Sequence, residues 1–340
     1  MDMTRTSTLI ASRLAEAWPG ATQAAEPAPL TGGFWASMYR LRVDGQPRGV
    51  PADLVFRIAP DPALGAKEVA VQRTVAELGF ATPRVRLAGP ADDDLGGSWS
   101  VTDFATGAPP LGDLGAFAAL RRAPGLFGRL PGQLAGPMAA LHTLDPDAVT
   151  WAVDAGAPGA VWHVEDLVER FASTAEALGR ADLARAIGAL GERMPPEGRT
   201  VVCHGDLHPL NLLVDAGGAV TLVDWTAAIR AEPAYDVAFT SLLLANPPLH
   251  APGPLRAVIR RVGARMAARF VARYRTLVPD HDLTPLDWYR ALHGARILVE
   301  AATLDARGLP EVGRHPFQVL VPVGTATLGG FTGSPLTLGS

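Results

Sequence analysis

The segment His204-Gly205-Asp206-Leu207-His208-Pro209-Leu210-Asn211, followed shortly by Asp224-Trp225, constrains this chain more than any other feature. Asp206 and Asn211 lie five positions apart, and Asn211 and Asp224 thirteen. Between the last two, Leu212-Leu213-Val214 and Val220-Thr221-Leu222-Val223 read as strands around the turn Asp215-Ala216-Gly217-Gly218. A hairpin of that length returns Asp224 beside Asn211. The Asn211 amide oxygen and the Asp224 carboxylate then suit a hard divalent cation, and the Asp206 carboxylate is left over.

The rest of the chain bounds what can surround that segment. A length of 340 residues suits two lobes, each with its own core. Hydrophobic residues make up 48% and charged residues 19%, the balance of a globular protein. A formal net charge of -4 argues against nucleic acid as the main partner. Lys67 is the only lysine and Cys203 the only cysteine, so an intrachain disulfide and a cysteine zinc site are both excluded. No apolar window approaches a membrane span, and residues 1–18 lack the continuous apolar stretch of a signal peptide, so the expected location is cytoplasmic. Nothing in the sequence points to an obligate protein partner.

Periodicity predicts a helix over Ser7–Trp18, strands on either side of Gly32-Gly33, a strand at Leu54–Ile58, a helix over Ala63–Leu78, and strands at Pro83–Leu87 and Trp99–Phe104. That is a five-stranded antiparallel sheet with a helix. Ala105 to Pro110, small residues and proline, reads as a hinge. Beyond it helices are predicted at Leu130–Leu144, at Leu167–Leu190 with a break near Gly179, and at about 236–245, 255–277 and 285–307. The tail from Gly329 to Ser340 reads as loose. The fold class is α+β, with an N-terminal lobe at 1–104, a hinge at 105–110 and a mainly helical C-terminal lobe at 111–328.

The run Val202 to Leu213 with Val223-Asp224-Trp225 resembles the aminoglycoside phosphotransferase family, kinase-like phosphotransferases of small molecules. The likeness continues through Glu232-Pro233-Ala234-Tyr235-Asp236 and upstream from Thr31 to His142. It implies a bilobal, protein-kinase-like fold and transfer of a phosphoryl group from ATP or GTP to a small-molecule hydroxyl, with Mg²⁺ assisting. The acceptor could be an antibiotic such as an aminoglycoside. Asp206 would then be the catalytic base, and Asn211 and Asp224 the Mg²⁺ ligands. Gly32 and Gly33, with Ser37, would approach the nucleotide phosphates. Arg57 stands where the family expects a lysine for those phosphates, with Glu68 as its partner; arginine binds phosphate with different geometry. Asp103, Phe104 and Ala105 would meet the nucleotide base. His204 and Asp236 would support the loop, and Asp236 also reads as a helix N-cap. Glu232 and His208 are candidate substrate contacts.

Two other readings use the same residues. Arginine in place of lysine fits a nucleotide-binding protein without transfer activity. His204-x-Asp206-x-His208 fits a metal-dependent phosphohydrolase, although the other six histidines do not cluster as such an enzyme requires. Ten acidic residues face five arginines between Asp145 and Arg199, where the family builds much of its acceptor site. Seven arginines between Arg256 and Arg275 wrap around their helix as a solvated face.

Overall fold

The computed structural model describes residues 3–30, 36–110, 116–248, 253–307 and 316–336. In chain order the elements are α1 (Met3–Ala17), β1 (Thr22–Gln23), β2 (Ala28–Leu30), β3 (Ser37–Asp44), β4 (Asp53–Ala59), α2 (Pro62–Glu77), β5 (Val85–Asp92) and β6 (Gly97–Asp103). There follow α3 (Ala116–Leu141), α4 (Pro146–Gly156), α5 (Val164–Ala177), α6 (Ala181–Gly191), β7 (Val201–Cys203), β8 (Leu212–Val214), β9 (Val220–Leu222) and β10 (Ile229–Ala231). The chain ends with α7 (Ala234–Ala245), α8 (Gly253–Leu277), α9 (Leu286–Ala306) and α10 (Pro316–Thr332). Two compact units result. One gathers Met1–Ala108, Asp147–Ala160 and Leu213–Ala227; the other gathers Pro109–Pro146, Val161–Leu212 and Ala228–Ser340.

The first unit is built on an antiparallel sheet ordered β1-β3-β4-β6-β5, with β2 also on β3. β1 and β2 pair with successive parts of β3, so they are two pieces of one interrupted edge strand rather than an extra layer. Pro27, which has no N–H to give, falls in the interruption. The five expected strands are therefore present. Along β3 and β4 burial alternates, placing Tyr39, Leu41, Val43, Leu54, Phe56 and Ile58 on one face. Ile10 and Leu14 of α1 and Trp18 just beyond it, spaced by four, close that core. Arg57 points to the other face, where α2 packs. Asp61 caps α2 by accepting from the Ala63 and Leu64 amides, and Gly79 at φ +87° ends it.

The second unit is helical, apart from the short pair β7–β10. Its helices match the expected ones with three differences. α3 starts well before Leu130 and ends at Leu141; it holds Pro131 and Pro137 and packs against α8, which supplies what local propensity lacks. α10 was not foreseen. Its Val, Thr and Gly are poor helix formers, yet Gly324 meets Gly294 of α9 so closely that a side chain at either would strike backbone of the other helix. α10 also runs to Thr332, so the Gly329–Thr332 part of the expected loose tail is helical. The buried Thr332 hydroxyl bonds Leu328 O, and Gly333, at φ +71°, closes the end. Residues 337–340 lie outside the described residues. As expected, Gly179 separates α5 from α6, and the arginines of α8 are exposed. No described helix is long and apolar enough to cross a membrane.

The sheet core sets a stability expectation. Leu41 is 1% exposed and packed among aromatic and aliphatic neighbours. Leu41→Ala is expected to cost about 3 kcal/mol in denaturant unfolding; a loss below about 1 kcal/mol would contradict this packing.

Candidate active site

Strand β7 delivers the chain to His204, and the loop to Asn211 is held from beneath by a buried carboxylate. Asp236 is fully buried and accepts from the His204 amide at 2.8 Å and the Gly205 amide at 2.7 Å. Gly205 sits at φ +75°, a conformation glycine adopts freely, and this turns both amides toward one acceptor. His142 Nε2 lies 3.1 Å from the same carboxylate, His142 Nδ1 lies 2.6 Å from the Tyr274 hydroxyl, and that hydroxyl lies 2.7 Å from His281 Nδ1. Burial opposes ionisation of Asp236, but His142, His204 and the loop amide outweigh it and hold the carboxyl below the usual range. The N-cap reading of Asp236 is corrected here. Pro233 stands at the cap of α7, and Asp236 lies within the first turn with its carboxylate committed to the loop.

The same loop immobilises Asp206. Its Oδ2 receives the Asn211 side-chain amide at 3.1 Å and lies 3.3 Å from His208 Nε2. Asn211 Nδ2 also donates to the Asp206 carbonyl at 2.9 Å, so the amide nitrogen faces Asp206 and the amide oxygen faces away. On Oδ1, Arg296 of α9 donates at 3.0 Å. Arg296 further bonds Gly205 O at 2.7 Å and Glu300 Oε1 at 2.7 Å, and its guanidinium stands over Phe239 and Phe317. Burial would raise the Asp206 pKa; Arg296 and then His208 reverse this and hold it well below the usual carboxylate range. His204 is fully buried, with Nδ1 accepting the Asp206 amide at 3.3 Å.

A second cluster forms inside the first unit. β8 and β9 make the expected hairpin, turned by Asp215, whose carboxylate accepts the Ala219 amide. It leads to Asp224, the one described non-glycine residue at positive φ, +68°. Aspartate tolerates this region better than most residues, and such backbone settings gather at functional sites. Thr226 Oγ1 lies 2.7 Å from Asp224 Oδ1 and 3.3 Å from Glu68 Oε2, and accepts from Arg57 Nη2 at 2.8 Å. Having one proton, the hydroxyl donates to the nearer Asp224. Arg57 Nε stands 3.0 Å from Glu68 Oε2 without the alignment of a hydrogen bond, and Nη1 meets only Met38 Sδ, at 3.5 Å. Arg57 thus pairs with Glu68, as expected, and its Nη2 also lies 3.5 Å from Asp224 Oδ1, which leaves Nη1 for another anion. Burial lifts the Glu68 pKa, only partly offset by Arg57. Lys67, next to Glu68 in sequence, is buried and engaged as well.

The remaining candidates are placed separately. Ser37 opens β3 opposite Ile58. Asp103 is held bidentately by Arg86 at 2.6 and 2.9 Å, and its amide bonds Arg84 O. The Phe104 amide bonds Asp53 O while its ring lies under Arg40, so of the three expected nucleotide-base contacts the Ala105 amide alone is outside these pairings. Glu232 accepts the Gly198 amide at 3.1 Å and is not among the groups that meet Asp206. Gly32 and Gly33 lie outside the described residues.

Sequence reasoning missed Arg296, Glu300, Thr226, His142 and Tyr274. Arg296 did leave a signal: it is a lone cation within Leu292–Val299, where most positions of α9 are apolar and buried. A cation there calls for a buried anion. Thr226 left a weaker one, a hydroxyl two residues after Asp224.

A profile of the phosphotransferase enzyme family matches residues 27–289. Comparison with curated protein sequences gave no match. Among solved structures, a protein of Ralstonia eutropha JMP134 assigned as an aminoglycoside phosphotransferase superposes with a TM-score of 0.66 at 17% identity, covering 96% of this chain and 98% of that one. A thermostable mutant of aminoglycoside phosphotransferase APH(4)-Ia, solved with ADP and hygromycin B, gives 0.59 at 17%, covering 97% and 99%. APH(2")-IIia, solved with GDP and kanamycin, gives 0.59 at 18%, covering 94% and 98%. At such identities the likeness speaks for the fold.

The Asp236 anchor has a pH signature. Its native pKa is depressed, so its contribution to stability is full above the unfolded carboxylate value of about 4 and disappears as pH falls through the native value. Thermal melts of wild type and Asp236→Asn are expected to differ most near neutrality and to begin converging only as pH falls below about 4. A gap that stays constant with pH would show that the charge is not what holds the loop.

Proposed function

This chain belongs to the phosphotransferase enzyme family, and from that premise we propose that it transfers the γ-phosphoryl group of ATP or GTP to a hydroxyl of a small molecule. The observation that carries the reading is Asp206, locked by Asn211 from five positions along the same loop. Asp206 has a side chain 21% exposed, so an acceptor can reach it. The phosphoryl transition state is loose, and the base has mainly to orient the hydroxyl. A carboxylate whose proton affinity is lowered suits that role, because it accepts the hydroxyl's hydrogen bond without taking the proton early.

Asn211 and Asp224 are the residues that would hold Mg²⁺. The donor set fits: an amide oxygen turned away from the base and a carboxylate with one oxygen outside the Thr226 contact are hard ligands. Bound there, Mg²⁺ supplies charge neutralisation to the nucleotide phosphates. Arg57 takes the phosphate-binding part assigned to a lysine elsewhere in the family. Its Nη1, which meets only the Met38 sulfur, is suited to a phosphate oxygen. Gly32, Gly33 and Ser37 complete the phosphate contacts, and Ala105 the base contact. The lobes at 1–104 and 111–328 joined at 105–110, and a cytoplasmic setting where nucleoside triphosphates are available, belong to the same reading.

For the acceptor the proposal is a hydroxyl compound, with antibiotics of the aminoglycoside type the first to test. The net acidic stretch from Asp145 to Arg199 favours a cationic molecule.

Mass spectrometry of a panel of hydroxyl compounds incubated with Mg-ATP or Mg-GTP tests the whole reading. A phosphorylated product is expected with wild type and none with Asp206→Asn, which should still bind nucleotide; equal turnover by the variant would remove Asp206 from the role. Asp224→Ala is expected to abolish the Mg²⁺-dependent part of nucleotide affinity in calorimetry. Unchanged affinity would remove Asp224 as a ligand.

A further inference from the structure

Arg296 is not explained by Asp206 needing a counter-ion, because a counter-ion requires only charge. The guanidinium is a planar fork, and each of its three arms is spent on a different acceptor: Nη1 on Gly205 O at 2.7 Å, Nη2 on Asp206 Oδ1 at 3.0 Å and Nε on Glu300 Oε1 at 2.7 Å. The first two acceptors are the backbone and side chain of adjacent residues in the loop. Joined by one rigid fork, they fix the carboxylate relative to its own main chain. The third arm fixes the fork to α9, one turn further on. Phe239 and Phe317, with ring centroids 4.9 and 5.5 Å from the guanidinium carbon, confine it further.

Building on the phosphotransferase reading, we infer that Arg296 is the positioning residue of the reaction, holding Asp206 so that a single acceptor site on Oδ1 is presented to the substrate hydroxyl. The count of lone pairs leads there. An ionised carboxylate has about four hydrogen-bond sites, two on each oxygen. On Oδ2, Asn211 takes one, and His208 Nε2 stands over the other at 3.3 Å. On Oδ1, Arg296 takes one. The fourth is open, and it lies on the oxygen whose place Arg296 sets. The acceptor hydroxyl therefore binds beside the guanidinium, and its reach to the phosphoryl group depends on an arginine 90 positions away in sequence.

Lysine keeps the charge of Arg296 but cannot serve Gly205 O, Asp206 Oδ1 and Glu300 with the same geometry. With Mg-ATP and the acceptor found in the panel, or water as acceptor where none is found, Arg296→Lys is expected to lower kcat by about 10- to 100-fold while KM for ATP stays within about twofold. Guanidinium chloride at low millimolar concentration should restore part of the activity of Arg296→Ala. Hydrogen exchange of the 204–211 loop, measured without substrate, should rise in Arg296→Lys whatever the turnover. Wild-type kcat in Arg296→Lys, or a loss that follows ATP affinity and is not rescued, would overturn the inference. Unchanged loop exchange would overturn it too, even if wild type transfers nothing. Absence of any wild-type product with raised loop exchange would count against the phosphotransferase reading and leave the Arg296 anchor standing.

Discussion

Everything in the helical unit that bears on chemistry hangs from one buried charge. Asp236 has no exposure to water and still carries a carboxylate, which is costly unless each oxygen is satisfied. The two loop amides and His142 satisfy it, so the loop can have only one shape while Asp236 is ionised. The ring of His142 is tied in turn to Tyr274 on α8, and Tyr274 to His281 just beyond that helix. A line of hydrogen bonds thus runs from the loop across α3 to the end of α8. Removing one member leaves the others buried and unpaired, which costs more than the lost bond itself.

Two carboxylates, one in each unit, meet opposite fates for the same physical reason. Asp206 and Glu68 are both short of water, and burial pushes each toward the neutral form. Asp206 has Arg296 and His208 close by and stays strongly acidic. Glu68 shares Arg57 with Asp224, whose negative charge works against it, and so its pKa rises. Arginine appears at both places, where a planar cation can hold two acceptors at once. The chain's near-exclusive use of arginine is therefore structural at these two points, whatever its origin elsewhere.

How much of this could be read from the sequence follows the range of each interaction. Asp206, Asn211 and the hairpin to Asp224 were legible because their relations are local, set by a five-residue step and a two-strand turn. The alternation in β3 and β4 and the break at Gly179 were legible for the same reason. Arg296 was not, since nothing near it in the chain mentions Gly205 or Asp206. α10 was hidden by residues chosen for close approach to Gly294 rather than for helix propensity. Asp236 was read both as a brace of the loop and as an N-cap; the structure keeps the first, and the local reading fails because Pro233 takes the cap position. The interruption of the edge strand at Pro27 is a feature of register, and a sequence pattern of period two carries no record of it.

The burial of Lys67 and Cys203 has a practical consequence. The only side-chain amine is 4% exposed, and the only thiol is fully enclosed and pushed by burial to a higher pKa. To reagents that seek lysine or cysteine, the folded side chains are nearly inert. A single cysteine introduced on an exposed helix, such as α8, would then be the one site to take a maleimide dye or spin label, and distances could be measured from it without first stripping the native chain of competing groups.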